Sequence, residues 1–450
     1  MRNKRERALE FGKSALIALL TLSALFLVGR TQAYTDVTPS SAPRWLQALA
    51  GLLAPGGETE PGAPVNRPVT PVQPSPVRLM VRNGKGCYGA QYDTQAVDAD
   101  FELRLGPLLG EALAGAGAGV EVSEEVWRQA MGDTAPAVYY DFLGDVPLGS
   151  LSVWLGGERN RMLTGFARRL LLTEGADGAP LLLYQSAEGT CYAGAVEESI
   201  GVRLTGAVEG YTPNNAVFAL QQAERYPALG PYVMLLPDTP APALFSAMNP
   251  IALEGGVPAV QDQLLRALLF HPQASTVYQA VDGMVVKEGA DTLRINADGT
   301  VVFAASDAFE PRYSVPAAAN LEELVEITYA LAEQSIGAWC GGGRVYYMGA
   351  EALEGGATAL YFGYALEGAA VQLYEDGYAA RFVVREGYIS DATLHFRAYQ
   401  MTGADALLLP ELLAAAAMEA LDLGGGALTL FYQDSGQGDV PVVWGAEGSK

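Results

Sequence analysis

The chain reads as an α+β protein: a single N-terminal transmembrane helix, a proline-rich linker, then two or three extracytoplasmic domains of antiparallel sheets with covering helices. Three observations predict this. The segment SALIALLTLSALFLVG, Ser14–Gly29, holds no charged residue. From Val37 to Val77 prolines recur at a density that neither helix nor sheet accommodates. Beyond Val77, strand-period segments closed by Asp-Gly turns alternate with a few segments of helical spacing.

Arg2, Lys4, Arg5, Arg7 and Lys13 precede the apolar run against Glu6 and Glu10, and such a cationic excess holds a flank in the cytoplasm. The C-terminal side is therefore expected outside. Sixteen uncharged residues fall between the roughly 7 to 15 of a signal-peptide core and the ~20 of a comfortable span. Two readings stand. Cleavage after Ala33 is offered by the small residues Thr31 and Ala33 ahead of Tyr34. A retained anchor is offered by Lys13 and Arg30, which can snorkel, and by Phe11 and Tyr34 at the two interfaces. Arg30 sits badly beside a cleavage site, so the anchor is preferred. The first cysteine is Cys87, which removes lipid attachment at this end.

The expected division is a cytoplasmic tail 1–13, a transmembrane helix 14–33, a linker 34–77, and extracytoplasmic segments 78–210, 211–305 and 306–450. Within the linker, Trp45, Leu46, Leu49, Leu52 and Leu53 space out as a short amphipathic helix. Residues 1–30 carry six Lys/Arg and two Asp/Glu, a net +4, so the rest of the chain carries −27 of the total −23. A surface so acidic repels nucleic acid and anionic lipid headgroups. Nucleic acid is excluded as a partner, and the body is expected to stand off the membrane.

In the first extracytoplasmic segment VRLMV and AVYYDFLG read as strands, with helices near 107–115 and 157–172. Hinges are expected at Pro213 to Ala216 or Pro237 to Pro242. A helix from about Ala259 to His271 stops at Pro272. Asp282-Gly283, Asp298-Gly299 and Asp376-Gly377 mark turns, and TLRINADGTVVFAA reads as a complete hairpin. Asn320 with Glu323 forms an approximate capping box before Leu321, Leu324, Val325, Thr328 and Leu331, predicting a helix to about Ile336. TALYFGYAL, AAVQLY, YAARFVVRE and ATLHFRAYQ then alternate as an antiparallel meander. A last helix, Pro410 to Leu423, stops at three glycines, and ALTLFYQD and VPVVWGA close the fold.

Reacting groups are sparse. The two histidines are read structurally: His271 at a helix end, where the dipole favours it, and His395 alternating with Arg397 on a solvated strand face. No G-x-S-x-G elbow occurs, and Gly12-Lys13-Ser14 lacks the upstream glycine of a phosphate loop, where Arg7 stands. Glu124-Glu125 and Glu322-Glu323 open predicted helices behind Ser123 and Asn320, where acids suit the dipole. No catalytic residue, cofactor site or metal site is assigned, since two histidines and three scattered cysteines give no ligand spacing. Cys87 and Cys191 lie in similar glycine-flanked contexts. Either they form one disulfide, or all three cysteines are small buried thiols.

Phe362-Gly363-Tyr364 with Gly368, Gly387-Tyr388-Ile389, Phe396-Arg397-Ala398-Tyr399, Leu409-Pro410 before an alanine-rich helix, and the closing Tyr432 and Trp444 resemble the extracytoplasmic domain of YycH/YycI-type regulators. Val138 to Gly156, VYYDFLGDVPLGSLSVWLG, is similar to the amino-terminal portion of the YycH branch. The resemblance implies a YycI-like C-terminal domain at 306–450. It also implies an accessory protein of the WalK/WalR-type cell-wall two-component system of Gram-positive bacteria. The implied partners are the membrane, a sensor histidine kinase and a paralogous YycH/YycI-type protein.

Lipid gives no hydrophobic drive for helix pairing, so small residues must supply close packing. Ser14, Ala18, Thr21, Leu25 and Gly29 fall within one sector of about 80° at 100° per residue, the candidate kinase-facing stripe. Three function classes follow: a membrane-anchored kinase regulator, an extracytoplasmic binding or protease-control module of the envelope, and an enzyme of unrecognised type. The first needs the apolar helix, the second works as a secreted body, and the third needs titratable groups gathered in a pocket.

Overall fold

The computed structural model describes residues 74–446 apart from 92–93, 176, 237–240, 253–257, 272, 307–310, 317, 375, 421–426 and 437. The stripe Ser14, Ala18, Thr21, Leu25 and Gly29, and the Trp45 to Leu53 island, lie outside the described residues. Among the described residues no helix is long and apolar enough to cross a membrane. The body is α+β, several antiparallel sheets with helices packed on them.

The first layer runs β1 (Arg78–Asn83), β2 (Gly86–Gln91), α1 (Thr94–Asp100), a π-helical turn Phe101–Leu105, α2 (Gly106–Gly115), β3 (Val120–Val122), α3 (Glu124–Gly132), β4 (Ala137–Pro147), α4 (Leu148–Trp154), β5 (Phe166–Glu174), β6 (Pro180–Gln185), β7 (Cys191–Ala195) and α5 (Glu198–Glu209). Its seven strands pair antiparallel in the order β2-β1-β4-β5-β6-β7-β3. Side chains alternate across a strand, yet both faces here are covered. Leu79, Val138, Tyr140, Leu170 and Leu172 pack with Leu109 of α2 and Leu204 of α5. Met80, Tyr139 and Leu171 pack with Trp127 of α3 and with Phe218 and Tyr232 from the chain that follows. Two covered faces explain why LMV, VYY and LLL read as unbroken apolar runs, each buried large side chain contributing about 1.5–3 kcal/mol.

The predicted helix over 157–172 is a correction: Phe166–Glu174 is strand β5. Gly165 takes a left-handed φ of 104°, which breaks a helical run, and Leu170 to Leu172 divide between the two covered faces. Three consecutive leucines look alike at either period, so spacing alone misassigns them.

The rest of the chain holds the second layer and a separate two-stranded pair whose Phe218 and Met234 cover the first sheet. It comprises β8 (Val217–Phe218), β9 (Met234–Leu235), β10 (Ala243–Met248), α6 (Pro258–Ala267), β11 (Thr276–Ala280), β12 (Gly283–Glu288), β13 (Asp291–Asn296), β14 (Thr300–Ala304), α7 (Leu321–Ser335), β15 (Arg344–Ala352), β16 (Thr358–Leu366), β17 (Ala369–Leu373), β18 (Ala380–Arg385), β19 (Tyr388–His395), β20 (Ala398–Asp405), α8 (Glu411–Ala420), β21 (Leu428–Asp434), β22 (Gly438–Val440) and β23 (Val442–Ala446). The large sheet runs β11-β12-β13-β14-β19-β18-β16-β17-β21-β23, with β15 also on β16. Strands from 276–304 thus share a sheet with strands from 344–446, joined where Thr300 faces His395. A hairpin alone cannot bury a face, which is why these strands are continuous with the rest.

The α7 start follows its cap: Glu323 N–H donates to Asn320 Oδ1 at 2.9 Å and Asn320 N–H to Glu323 Oε2 at 3.0 Å. The β13–β14 hairpin turns at Gly299, φ 93°. Helix α6 ends at Ala267, short of the predicted His271, and Leu269 takes φ 54°. The simple meander is also corrected, because β17 pairs antiparallel with β16 only at Ala369 and Ala370 and runs parallel to β21 on its other side, Ala370 facing Phe431. ATLHFRAYQ divides at Phe396-Arg397, β19 staying in the large sheet and β20 joining β10 and β22.

Asp141 sits in the middle of β4, fully buried, facing Arg78 across β1 and Arg169 across β5. Arg78 Nη1 donates to its Oδ2 at 2.7 Å, and Arg168 and Arg169 approach to 3.7 and 3.6 Å. The Leu143 N–H reaches its Oδ1 at 2.9 Å, and Leu143, φ 70°, opens a bulge that shifts the β4–β5 register before Val146. The bulge presses Gly144 against β15, where an added Cβ would overlap the Tyr347 carbonyl. Phe166 over Tyr347 (6.0 Å), Trp154 against Tyr329 (5.8 Å) and Gly165 N–H to Glu322 Oε1 (2.8 Å) extend this seam between the layers.

Burial alone would push the Asp141 carboxyl up, but the three guanidiniums and the Leu143 N–H outweigh it and hold it well below the usual carboxylate range. Asp141→Ala leaves buried cations without their counter-charge. It is expected to cost about 3–5 kcal/mol of unfolding free energy, read as a fall in urea midpoint at constant slope.

Candidate functional site

Three places gather polar or unfilled surface. At the seam, Asp145 Oδ1 accepts the Ala187 N–H at 2.8 Å. Burial raises its carboxyl to about 6, and nearby Glu188 adds to this against the opposing Ala187 bond, Arg168 and Arg169.

A second cluster forms where β19, β20 and β21 meet. Tyr399 donates its hydroxyl to Asp434 Oδ2 at 2.8 Å, Gly436 N–H donates to Asp434 Oδ1 at 2.7 Å, and Arg397 Nε lies 3.5 Å from Asp434 Oδ2. Arg397 also donates to the Asp298 and Phe396 carbonyls, both at 3.0 Å. His395 Nε2 lies 3.0 Å from Asp376 Oδ2, its Nδ1 3.3 Å from Thr300 Oγ1, and Tyr378 packs on its ring at 5.5 Å. The expected solvated face for His395 and Arg397 is a correction, since both are buried. The chain turns from one sheet to the other between them, and both side chains face one crevice, His395 against Asp376 and Arg397 against Asp434. The crevice among these groups measures about 10 Å³, roughly the room one water needs. His271, by contrast, is exposed beyond the end of α6, with Nδ1 3.1 Å from Glu288 Oε1.

The third place is a cleft of about 260 Å³ walled mainly by apolar residues, among them Val233, Leu236, Leu408, Leu430 and Trp444, with polar atoms also exposed in it and Glu411 of α8 in its lining. Its walls are tied by hydrogen bonds. The Gln91 amide bonds both the N–H and the carbonyl of Met234, and the Trp444 indole N–H donates to the Leu409 carbonyl at 2.9 Å. Leu428 N–H donates to the Ala228 carbonyl and Gly230 N–H to the Leu428 carbonyl, each at 2.8 Å, in the apolar cluster that also holds Val233 and Trp444.

The disulfide reading is corrected. Cys87 and Cys191 are free thiols, carried on β2 and β7. Five strand-to-strand steps separate them, roughly 24 Å at ~4.8 Å each, against the roughly 4–7 Å between α-carbons of a bridge. Burial raises both thiols. Among the described residues no group of His, Cys, Asp and Glu is placed to hold a metal ion.

The resemblance motifs converge. Tyr364 packs on Tyr399 at 5.4 Å and donates to the His395 carbonyl at 2.8 Å. Tyr432 donates to the Ala243 carbonyl at 3.0 Å, and Trp444 walls the cleft. From sequence, Asp434 and Asp145 had no assigned role, Asp376 figured only as a turn residue, and of the cleft lining only Trp444 was singled out. Asp141 had a signal: a lone acid inside the apolar run VYYDFLG, with arginines inside two others, RLMVR and FARRLLL.

A seven-stranded antiparallel sheet and an eleven-stranded, mostly antiparallel one, in contact where the bulge of β4 meets β15, with helices and smaller sheets around them, define an α+β body with a seam and clefts between strands. That architecture is the fold of YycH from Bacillus subtilis, whose crystal structure matches with a TM-score of 0.50 over 84% of this chain and 95% of that one, at 11% identity. The likeness read from sequence thus holds at the level of fold. A second solved structure, an uncharacterized protein from Eubacterium rectale, matches at a TM-score of 0.31 and 12% identity over 45% of this chain and 75% of that one, and carries no argument. No family model and no curated protein matches the chain.

Asp145 yields a pH prediction. The unfolded carboxyl titrates near 3.8 and the folded one near 6, so the folded protein holds the extra proton between them. Stability therefore falls as pH rises from about 4 to about 6 and stays lowered above. Asp145→Asn is expected to raise the unfolding free energy at pH 7.5 by about 1–2 kcal/mol, after allowance for partial exposure, and to match the parent at pH 3.5. Denaturant midpoints at the two pH values check this.

Proposed function

We propose that this chain is a membrane-anchored, YycH-type accessory protein that modulates a WalK-type sensor histidine kinase of a cell-envelope two-component system. The observation that carries the reading is the extent of the structural likeness, 84% of this chain and 95% of YycH, more than either sheet with its helices supplies alone. The cationic flank ahead of Ser14–Gly29 favours an N-terminus in the cytoplasm and an acidic body outside. Ser14, Ala18, Thr21, Leu25 and Gly29 form the stripe that packs on the kinase helix, where small residues permit close approach.

The body makes the second contact. Val277 and Tyr278 on edge strand β11 and Val281 beyond it are exposed, and uncovered edges with apolar side chains are sites of protein pairing. Coupling of such contacts to a kinase equilibrium is of the order of 1–3 kcal/mol. The kinase does the phosphoryl chemistry; no reaction is assigned to this chain.

Co-purification from detergent tests the reading. The full chain is expected to retain the WalK-type kinase of its own cell, and a variant carrying Ala18→Leu, Thr21→Ile and Gly29→Leu to retain much less at equal expression. Equal recovery by both would remove the helix stripe, and recovery by neither would remove the kinase.

A further inference from the structure

We propose that the leucine- and tryptophan-walled cleft beside β2 and α8 is a docking site for a partner protein's extended segment, which inserts one or two apolar side chains flanked by lysine or arginine. Size, charge and rigidity lead there. At about 260 Å³ the cleft falls below the roughly 300–1,000 Å³ of sites that enclose a whole small ligand or cofactor. It has the capacity of an anchoring side chain or two, the usual way a peptide docks.

Two polar side chains of its walls are held by neighbouring backbone: the Gln91 amide by Met234 and the Trp444 indole by Leu409. The described lining holds no cationic side chain and one carboxylate, Glu411, which is exposed at the mouth. Glu411 lies in the first turn of α8. A chain carrying −27 beyond residue 30 also draws cationic and repels anionic segments. A charge-complementary occupant is therefore apolar at its tip and basic beside it.

The walls come from chain positions spread between Gln91 and Trp444 and are fixed by the bonds already described. A guest therefore meets a preformed surface and does not have to order it. The inference does not rest on the kinase reading: the cleft would take such a segment whichever envelope protein supplies it.

The test uses the full chain in zwitterionic nanodiscs and two dye-labelled pentapeptides, leucine-phenylalanine-leucine flanked by lysines or by glutamates, read by fluorescence polarisation. The lysine peptide is expected to bind about tenfold or more tighter than the glutamate peptide. Glu411→Gln should weaken it by about two- to fivefold, the scale of one exposed ion pair, and Glu411→Lys should reverse the preference. Leu408→Trp, which fills the cleft, should abolish binding while the melting midpoint stays within a degree or two of the parent, about the scale of a neutral surface change. If Leu408→Trp unfolds the chain, the Glu411 pair still decides. Equal binding of both peptides, binding of neither, or lysine-peptide binding that survives a folded Leu408→Trp would each overturn the proposal, the last by showing attraction to the acidic surface alone.

Discussion

A carboxylate between three guanidiniums organises this molecule. Asp141 has Arg78 and Arg169 directly opposite on its two neighbouring strands and Arg168 beside them. Such an arrangement is weak evidence for net stability, because stripping water from four charges costs much of what their attraction returns. Its effect is on register. A one-residue slip of β4 would turn the acid to the face lined by Val138, Leu79 and Leu170, and strand the arginines without a counter-charge.

The same residue starts the seam. Its Oδ1 accepts from Leu143, the chain bulges, and Gly144 is delivered to the backbone of β15. Sheet-to-sheet contact here is therefore main chain on main chain, tighter than interdigitated side chains allow. Phe166, Trp154 and Glu322 then close around that point. The polar groups of the other cluster, Asp434 with Tyr399 and Arg397, play the matching role where the large sheet hands the chain to the small one.

What could be read from sequence depended on how local its cause was. The α7 cap and the β13–β14 turn lie within a few residues of the elements they specify, and both were legible. Strand β5 was misread because its leucines serve two covered faces, so neither period dominates. His395 and Arg397 were placed outside because alternation cannot reveal that a strand changes sheets between them. The cleft was invisible for a stronger reason: Gln91, Val233, Leu408 and Trp444 become neighbours only through long-range pairing, and leucine spacing carries no mark of an unfilled volume.

The entry point of the body has a mechanical meaning. Val77 N–H donates to the Asp141 carbonyl at 2.6 Å, Val77 also lies against Gly368 at the start of β17, and β1 follows, flanked by β2 and β4. A pull along the incoming chain therefore loads β1 lengthwise, across two ladders at once, so the bonds resist together and do not unzip singly. The described body thus begins on an interior strand, so a force entering at Val77 is shared by both neighbouring ladders.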